Sequence, residues 1–325
     1  MNFRRRRFLL LAVGAAALPT GTRIASAQTY PNRYVRFMVP FPPGGSADPI
    51  ARVLANRLAE LWGQQVVIEN RAGAGGNIAA QAVAQSAPDG YTLFIGGTFL
   101  ATNPFIYSSI VDPMTDLTPV TRICTYTNLM VVPNSSPAKS VGEFIEHCKA
   151  NRGKITFASS GSGASPHLNG ELFKRLAGVE MTHVPYRGGG AALTDLIPGR
   201  VDAMFATMPS VLALVRNKDV RALAVASATR SPFAPDIPTI AESGVPGFDV
   251  MDGYALFFPP RTPAEIVNRV RDDTVAALGH PPVRQRFEEL AASIVTSTPT
   301  ELANLLKSDM DKWGPIIKEL GIKPE

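Results

Sequence analysis

The chain has 325 residues, with 32 lysines and arginines against 27 aspartates and glutamates, a formal net charge of +5. The whole excess lies at the start, because residues 1–27 hold Arg4, Arg5, Arg6, Arg7 and Arg23 and no acid, leaving 27 bases against 27 acids beyond them. A nucleic-acid binder carries its basic patch in the folded domain, so this balance gives a nucleic-acid partner no support.

Those first residues read as an export signal. Met1–Arg7 is a basic n-region, Phe8–Leu18 a short apolar run, and Ala25-Ser26-Ala27 a small-residue cleavage site, which predicts cleavage near Ala27 and a mature start at Gln28. The apolar run is too short to span a bilayer. Arg5-Arg6-Arg7-Phe8-Leu9 fits a twin-arginine signal as well as a Sec signal. The remaining residues, 28–325, suffice for one large or two medium domains. Cys124 and Cys148 suit either a disulfide, which export permits, or two small buried residues. His147, His167, His183 and His280 are scattered without zinc spacing, so no metal is expected.

Strands and helices then alternate along the chain. The pattern predicts a strand over Val35–Phe41, a helix over Asp48–Trp62 with Pro49 in its first turn, a strand over Gln65–Glu69, a helix over Asn77–Ser86 and a strand over Tyr91–Ile95. It continues with a strand over Leu129–Val132 and a helix over Val141–Ala150, with Ser140 as N-cap and Glu143 placed for a capping box. Strands at Lys154–Ala158, Met181–Val184, Val201–Phe205 and Val220–Ala226 alternate with helices at Pro166–Ala177, Ala191–Ile197 and Ser210–Arg216. Short apolar runs without polar alternation suit strands covered on both faces, which implies an α/β fold with helix-flanked parallel sheets. Ser231–Gly247 is a Pro-rich connector. Three helices close the chain, at Pro263–Leu278, Pro282–Ala291 and Thr298–Leu320.

Two loops share one design. Val39-Pro-Phe-Pro-Pro-Gly-Gly-Ser46 and Phe157-Ala-Ser-Ser-Gly-Ser-Gly-Ala-Ser165 each run from a strand through glycines and hydroxyls into a helix. The first N–H groups of a helix lack intrahelical partners and sit at the positive end of its dipole, so an anion can approach them. Ligands of open α/β sheets bind at such carboxyl ends of strands. Glycine also serves tight turns, but two loops with clustered hydroxyls favour a paired anion site across a cleft.

Enzyme signatures are missing. The sequence has no G-x-S-x-G elbow, no Walker A motif and no H-E-x-x-H, and its glycine clusters at 73–76 and 188–190 do not complete G-x-G-x-x-G. Ser162 with His167, or Asp48 as a base, are the alternatives for an exported enzyme acting on a carboxylate. Asp48, at a helix start, is better placed as a dipole partner. No catalytic residue and no cofactor are assigned.

The motifs VPFPPGGSAD (39–48), VVIENRAGAGGNIAAQAVAQSAPDGYTLF (66–94), ITFASSGSGASPHLNGELFKRLAG (155–178), HVPYRGGGAALTDLIPGRVDAMF (183–205), RALAVASATRSPFAPDIPTIAESGVPGF (221–248) and PPRTPAEIVNRV (259–270) together resemble the Bug/TctC family, the periplasmic solute-binding proteins of tripartite tricarboxylate transporters. The resemblance spans nearly the whole mature chain. It implies a two-lobed, type II-like binding-protein fold with a cleft between lobes, residues 28–126 plus 254–325 forming lobe one and 127–253 lobe two. It implies a monomer that holds a small organic carboxylate and docks on membrane transporter subunits or on a sensor receptor. Carried over, the ligand-binding residues are Phe41, Gly44, Gly45, Ser46, Asp48 and Thr98 on lobe one. On lobe two they are Ser159, Ser160, Gly161, Ser162, Gly163, Ser165, His167, Tyr186, Arg187, Gly188, Asp195 and Thr207. Arg187 suits either a clamp on a second carboxylate or a solvated surface. Against this family pattern, the turn Phe205–Ser210 carries no charge, which favours a plain or aromatic carboxylate over an amino acid.

Overall fold

The protein is described by a computed structural model that covers residues 30–108 and 111–324. The export signal lies outside the described residues. The elements are β1 (Val35–Val39), α1 (Ala47–Trp62), β2 (Val66–Asn70), α2 (Asn77–Ala84), β3 (Thr92–Gly97), α3 (Phe99–Thr102), β4 (Thr118–Pro133), α4 (Val141–Ala150), β5 (Thr156–Ser159), α5 (Ser165–Ala177), β6 (Thr182–Pro185), α6 (Gly189–Leu196), β7 (Ala203–Thr207), α7 (Met208–Arg216), β8 (Val220–Val225), β9 (Met251–Phe258), α8 (Ala264–Gly279), α9 (Pro281–Glu289), β10 (Ser293–Ile294) and α10 (Pro299–Leu320).

The strands join in the order β2-β1-β3-β9-β4-β7-β5-β6, with β8 and β10 also paired to β4. The outer pairs are parallel, β1 with β2 and β3 on one side, β5 with β6 and β7 on the other. The middle is antiparallel, because β9 and β4 run against their neighbours. β4 is the shared strand: Thr118–Thr127 pairs with β9, and Asn128–Pro133 pairs with β7 and β8. One continuous ladder therefore serves two lobes. The expected strand at Leu129–Val132 is only the distal end of this element.

Each half-sheet is covered on both faces, as its apolar strands require. In β1, Phe37 and Val39 face a cluster with Ile50, Leu54 and Leu58 of α1, while Met38 faces the opposite cluster with Phe94, Phe99 and Phe257. In the other lobe Phe157 and Phe205 pack with Phe144 and Phe173, and Met204 and Ala206 pack with Leu193 and Val211. Side chains alternate across a strand, so consecutive residues feed opposite layers.

The C-terminal helix bridges the lobes. Leu302 and Leu306 of α10 pack in the cluster of the first lobe, whereas Trp313 and Ile317 pack with Phe144 and Phe173 of the second. The sequence reading had assigned this whole stretch to lobe one. Gly314 lets α10 lie on Phe105, where a Cβ would meet the ring at 2.7 Å. Cys124 and Cys148 are both free and buried, with their thiols pushed up to about 12 by burial. Trp313→Ala is expected to cost about 3–5 kcal/mol of folding stability through the cavity it leaves, measured by denaturant unfolding. A change near zero would mean that the end of α10 is not part of the second core.

Candidate functional site

A cavity lies where the two lobes meet, lined by residues from both halves of the sheet and from the helix starts beside it. Four helices begin on its wall. Gly45 and Ser46 open α1, Ala164, Ser165 and Pro166 open α5, Gly189 opens α6, and Thr207 precedes α7. None of these four helices has a side-chain cap on its first N–H groups. By contrast, Ser140 caps α4, and Thr298 with Glu301 forms a capping box on α10, both as their sequences predict. At α5 and α6 the N-cap residues Ala164 and Gly188 offer no side-chain acceptor, whereas at α1 and α7 the hydroxyls of Ser46 and Thr207 are turned to Tyr254 and Ser210 instead. Four dipole ends of one sign then meet on the wall of one cavity, which suits an anion.

The rest of the wall is aromatic and hydroxylic. Phe41 and Phe99 meet edge to face at 5.7 Å, and the rings of Tyr126 and Tyr254 lie 5.2 Å apart. The Tyr254 hydroxyl is 2.7 Å from Ser46 Oγ. Burial raises both tyrosines above their ordinary range, so they stay neutral donors and acceptors. At the base Asp252 accepts from Thr98 Oγ1 at 2.7 Å, from Asn128 Nδ2 at 2.6 Å and from the Ser165 hydroxyl.

The cavity continues into a groove of about 1500 Å³ that shares Phe41 and Ser160 with it. Gly161, Ser162, Tyr186 and the exposed Arg187 line this groove, with Gly73–Gly76, Ile78 and Tyr107 on the opposite lobe. The lobes touch along it. Tyr107 donates to the Ser162 carbonyl at 2.9 Å, and a Cβ on Gly75 would meet that carbonyl oxygen at 2.7 Å. At the other side of the cleft a Cβ on Gly190 would meet the Gly44 carbonyl oxygen at 3.2 Å.

The expected residues thus fall into three groups. Phe41, Gly45, Ser46, Thr98, Ser160, Ser165 and Thr207 line the cavity. Gly161, Ser162, Tyr186 and Arg187 line the groove, while Gly44 and Gly188 sit on the lobe seam, where a Cβ on Gly188 would strike Pro42 at 2.7 Å. Asp48, Ser159, Gly163, His167 and Asp195 line neither space and support those that do. Asp48 is held by Arg52 at 2.8 Å and Asn70 at 2.9 Å, and its carboxyl is lowered by these donors against the opposing effect of burial. Asp195 is engaged by Tyr186 and Arg200, both at 2.8 Å, which lowers its carboxyl. Ser159 bonds His183 Nε2 at 2.7 Å. His167 stacks on His183 with centroids 3.8 Å apart, and its Nδ1 accepts from the Gly163 N–H at 3.1 Å.

Sequence reasoning missed Asp252, Phe99 and Met204 among the lining residues. The available signal for Asp252 was a lone acid at the head of an apolar run, Met251–Phe258, in which the Asp-Gly pair hid the strand.

Chemically, the cavity wall presents backbone and hydroxyl donors. The His167 lone pair at Nδ1 is occupied, and among the described residues no hydrogen bond joins this ring or Asp48 to the Ser162 hydroxyl. Burial lowers His167 from 6.5 to about 3, with His183 and Lys174 adding to the effect. The folded state therefore binds this proton less well than the unfolded chain. The stability it confers is complete above pH 6.5 and is lost as pH falls toward 3. His167→Asn keeps an acceptor for Gly163 and removes the titration. It is expected to flatten the loss of melting temperature between pH 6.5 and about 4; an unchanged slope would assign that loss to other groups.

Residues 50–322 match the family model described as the tripartite tricarboxylate transporter family receptor, TctC. Three solved structures are similar over the whole described chain. R. palustris Rpa4515 with adipate is 37% identical, with a TM-score of 0.88, covering 91% of this chain and 100% of that one. The periplasmic binding protein BugD is 31% identical, with a TM-score of 0.87 and coverages of 91% and 100%. MatC from Rhodopseudomonas palustris with bound malate is 33% identical, with a TM-score of 0.85 and coverages of 89% and 100%. The α/β two-lobed fold is theirs. The chain belongs to the TctC family of tripartite tricarboxylate transporter receptors, the Bug-type solute-binding proteins.

Proposed function

We propose that this protein captures a small organic carboxylate in the cavity between its lobes, after export to the periplasm as a monomer. The observation that carries the reading is the meeting of four uncapped helix ends on the wall of one cavity. Two relatives of the same architecture are described with dicarboxylates, adipate and malate. A carboxylate placed there accepts from several backbone N–H groups at once, and such charge-assisted bonds need no lysine or arginine. The lobes close around the ligand by hinge motion of β4 and β9. We place the lobe boundary near Tyr126–Asn128 and near Asp252–Tyr254, with the last turns of α10 docked on lobe two.

The loaded form presents its closed surface to membrane transporter subunits or to a sensor receptor; the family description supports the transporter. Uptake and gene induction, measured separately in a deletion strain, divide these two. Among the described residues no helix is long and apolar enough to cross a membrane, consistent with a receptor that works beside its membrane partner. A catalytic role is disfavoured by the engaged His167 and Asp48, and turnover of a bound acid abolished by Ser162→Ala would restore it.

A thermal-shift screen of ligand-free protein against mono-, di- and aromatic carboxylates is expected to give at least one acid that raises the melting temperature. Gly45→Pro deletes one open donor and is expected to weaken that acid by about tenfold or more, with circular dichroism confirming the fold. Silence across the whole panel would overturn the reading.

A further inference from the structure

The turn Phe205–Ser210 brings no acid to the cavity, but β9 does. Asp252 lines the cavity and is only 4% exposed. Its hydrogen bonds identify it as an acceptor. Ser165 Oγ already accepts from Asn128 Nδ2 at 2.6 Å and Asn169 Nδ2 at 3.1 Å, so its own proton goes to Asp252 Oδ2. Asn128 donates to the same oxygen at 2.6 Å. Oδ1 has one donor, Thr98, and an ionised carboxylate offers roughly four acceptor positions in all, so capacity remains on Oδ1.

Two further features of the same cluster point to a missing donor. Asn128 Oδ1 is a buried acceptor with no hydrogen-bond partner. Among the described residues no lysine or arginine is in ion-pair contact with Asp252, Lys312 acting on it only from a distance, and its burial pushes the carboxyl up despite three donors and that lysine. A buried carboxylate without a cation is costly, and the cost falls when a cation arrives. The walls suit one. Phe41, Phe99, Tyr126 and Tyr254 surround the cavity, and aromatic rings attract ammonium and quaternary nitrogen groups. The helix ends supply the positive region and Asp252 with the rings supplies the negative one, on the wall of one cavity.

We infer that the ligand is a small zwitterion, with its carboxylate on the helix N-termini and its cationic nitrogen on Asp252. This rests on the carboxylate-capture reading and narrows it. The uncharged turn at 205–210 then says nothing against an amino acid, because the acid is supplied by the hinge strand instead.

The test is calorimetric titration of the ligand-free, full mature protein with matched pairs that differ only in the cationic nitrogen. Suitable pairs are glutamate and glutarate, γ-aminobutyrate and butyrate, and glycine betaine and its uncharged carbon isostere. At least one cationic member is expected to bind about a hundredfold tighter than its partner. Asp252→Asn should erase that preference, bringing the two members of the pair to similar affinities. If the uncharged member binds as well or better in every pair, the inference fails while carboxylate capture stands. If Asp252→Asn weakens both members equally, Asp252 is a strut between lobes and the inference also fails. If no acid of either kind binds, the carboxylate reading falls and takes this one with it. Should Asp252→Asn not fold, the wild-type pairs decide alone.

Discussion

The Asp252 carboxylate sits out of water at the point where the lobes join, and its three donors come from three parts of the chain. Thr98 stands at the start of α3 in the first lobe, Asn128 at the position where β4 changes partners, and Ser165 at the start of α5 in the second lobe. A buried charge is tolerated only when hydrogen-bonded, so all three segments are drawn to one point on β9. That fixes the N-terminus of α5 against the first lobe. It also fixes the side of the cavity from which Ser165 and Pro166 face Ser46 and Tyr254. The knot is local, but the alignment of helix ends from separate lobes depends on it.

Glycine has two different jobs in this alignment. At Gly45 and Gly189 it keeps a helix start bare, so that backbone N–H groups remain free for a ligand. At Gly75 and Gly190 it lets the two lobes touch backbone to backbone, since a Cβ there would press on a carbonyl oxygen of the opposite lobe at 2.7 Å and 3.2 Å. The first job concerns affinity and the second concerns closure. A side chain on the seam would wedge the cleft open without removing a single ligand contact, so substitutions at seam and helix-end glycines act through different physics.

The sequence carries most of the local structure openly. The strand-to-helix loops at 39–46 and 157–165, the caps at Ser140 and Thr298 and the three closing helices all follow from short-range chemistry. The pairing of the two glycine- and serine-rich loops was legible for the same reason, because each joins an apolar strand to an apolar-periodic helix. The centre of the sheet was not legible. β4 is broken in the sequence by polar residues Thr121, Arg122 and Asn128, yet it is one strand, because its two ends satisfy different sheets. β9 was hidden by Asp252-Gly253. That glycine exists because a Cβ would lie 2.4 Å from the Cys124 carbonyl oxygen of the adjacent strand. Both failures have the same origin: pairing between strands far apart in the sequence overrides local propensity. The setting of His167 was hidden for a related reason, since it stacks on His183 from another strand.

The site divides recognition between elements of different reach. Helix ends recognise whatever is common to carboxylates, and they do so through backbone, which a substitution elsewhere does not change. Selection among acids then falls to side chains on the walls, and the one ionisable carboxyl among them lies on the hinge strand rather than on either lobe. A group bound there touches β9, whereas the helix ends come from α1 beside one half-sheet and from α5, α6 and α7 beside the other. A ligand that satisfies only the helix ends leaves Asp252 with its three side-chain donors and no ion-pair partner among the described residues. A polar group left unpaired on closure rejects an analogue more sharply than a missing apolar contact does, which makes the hinge strand the natural place for selectivity in this fold.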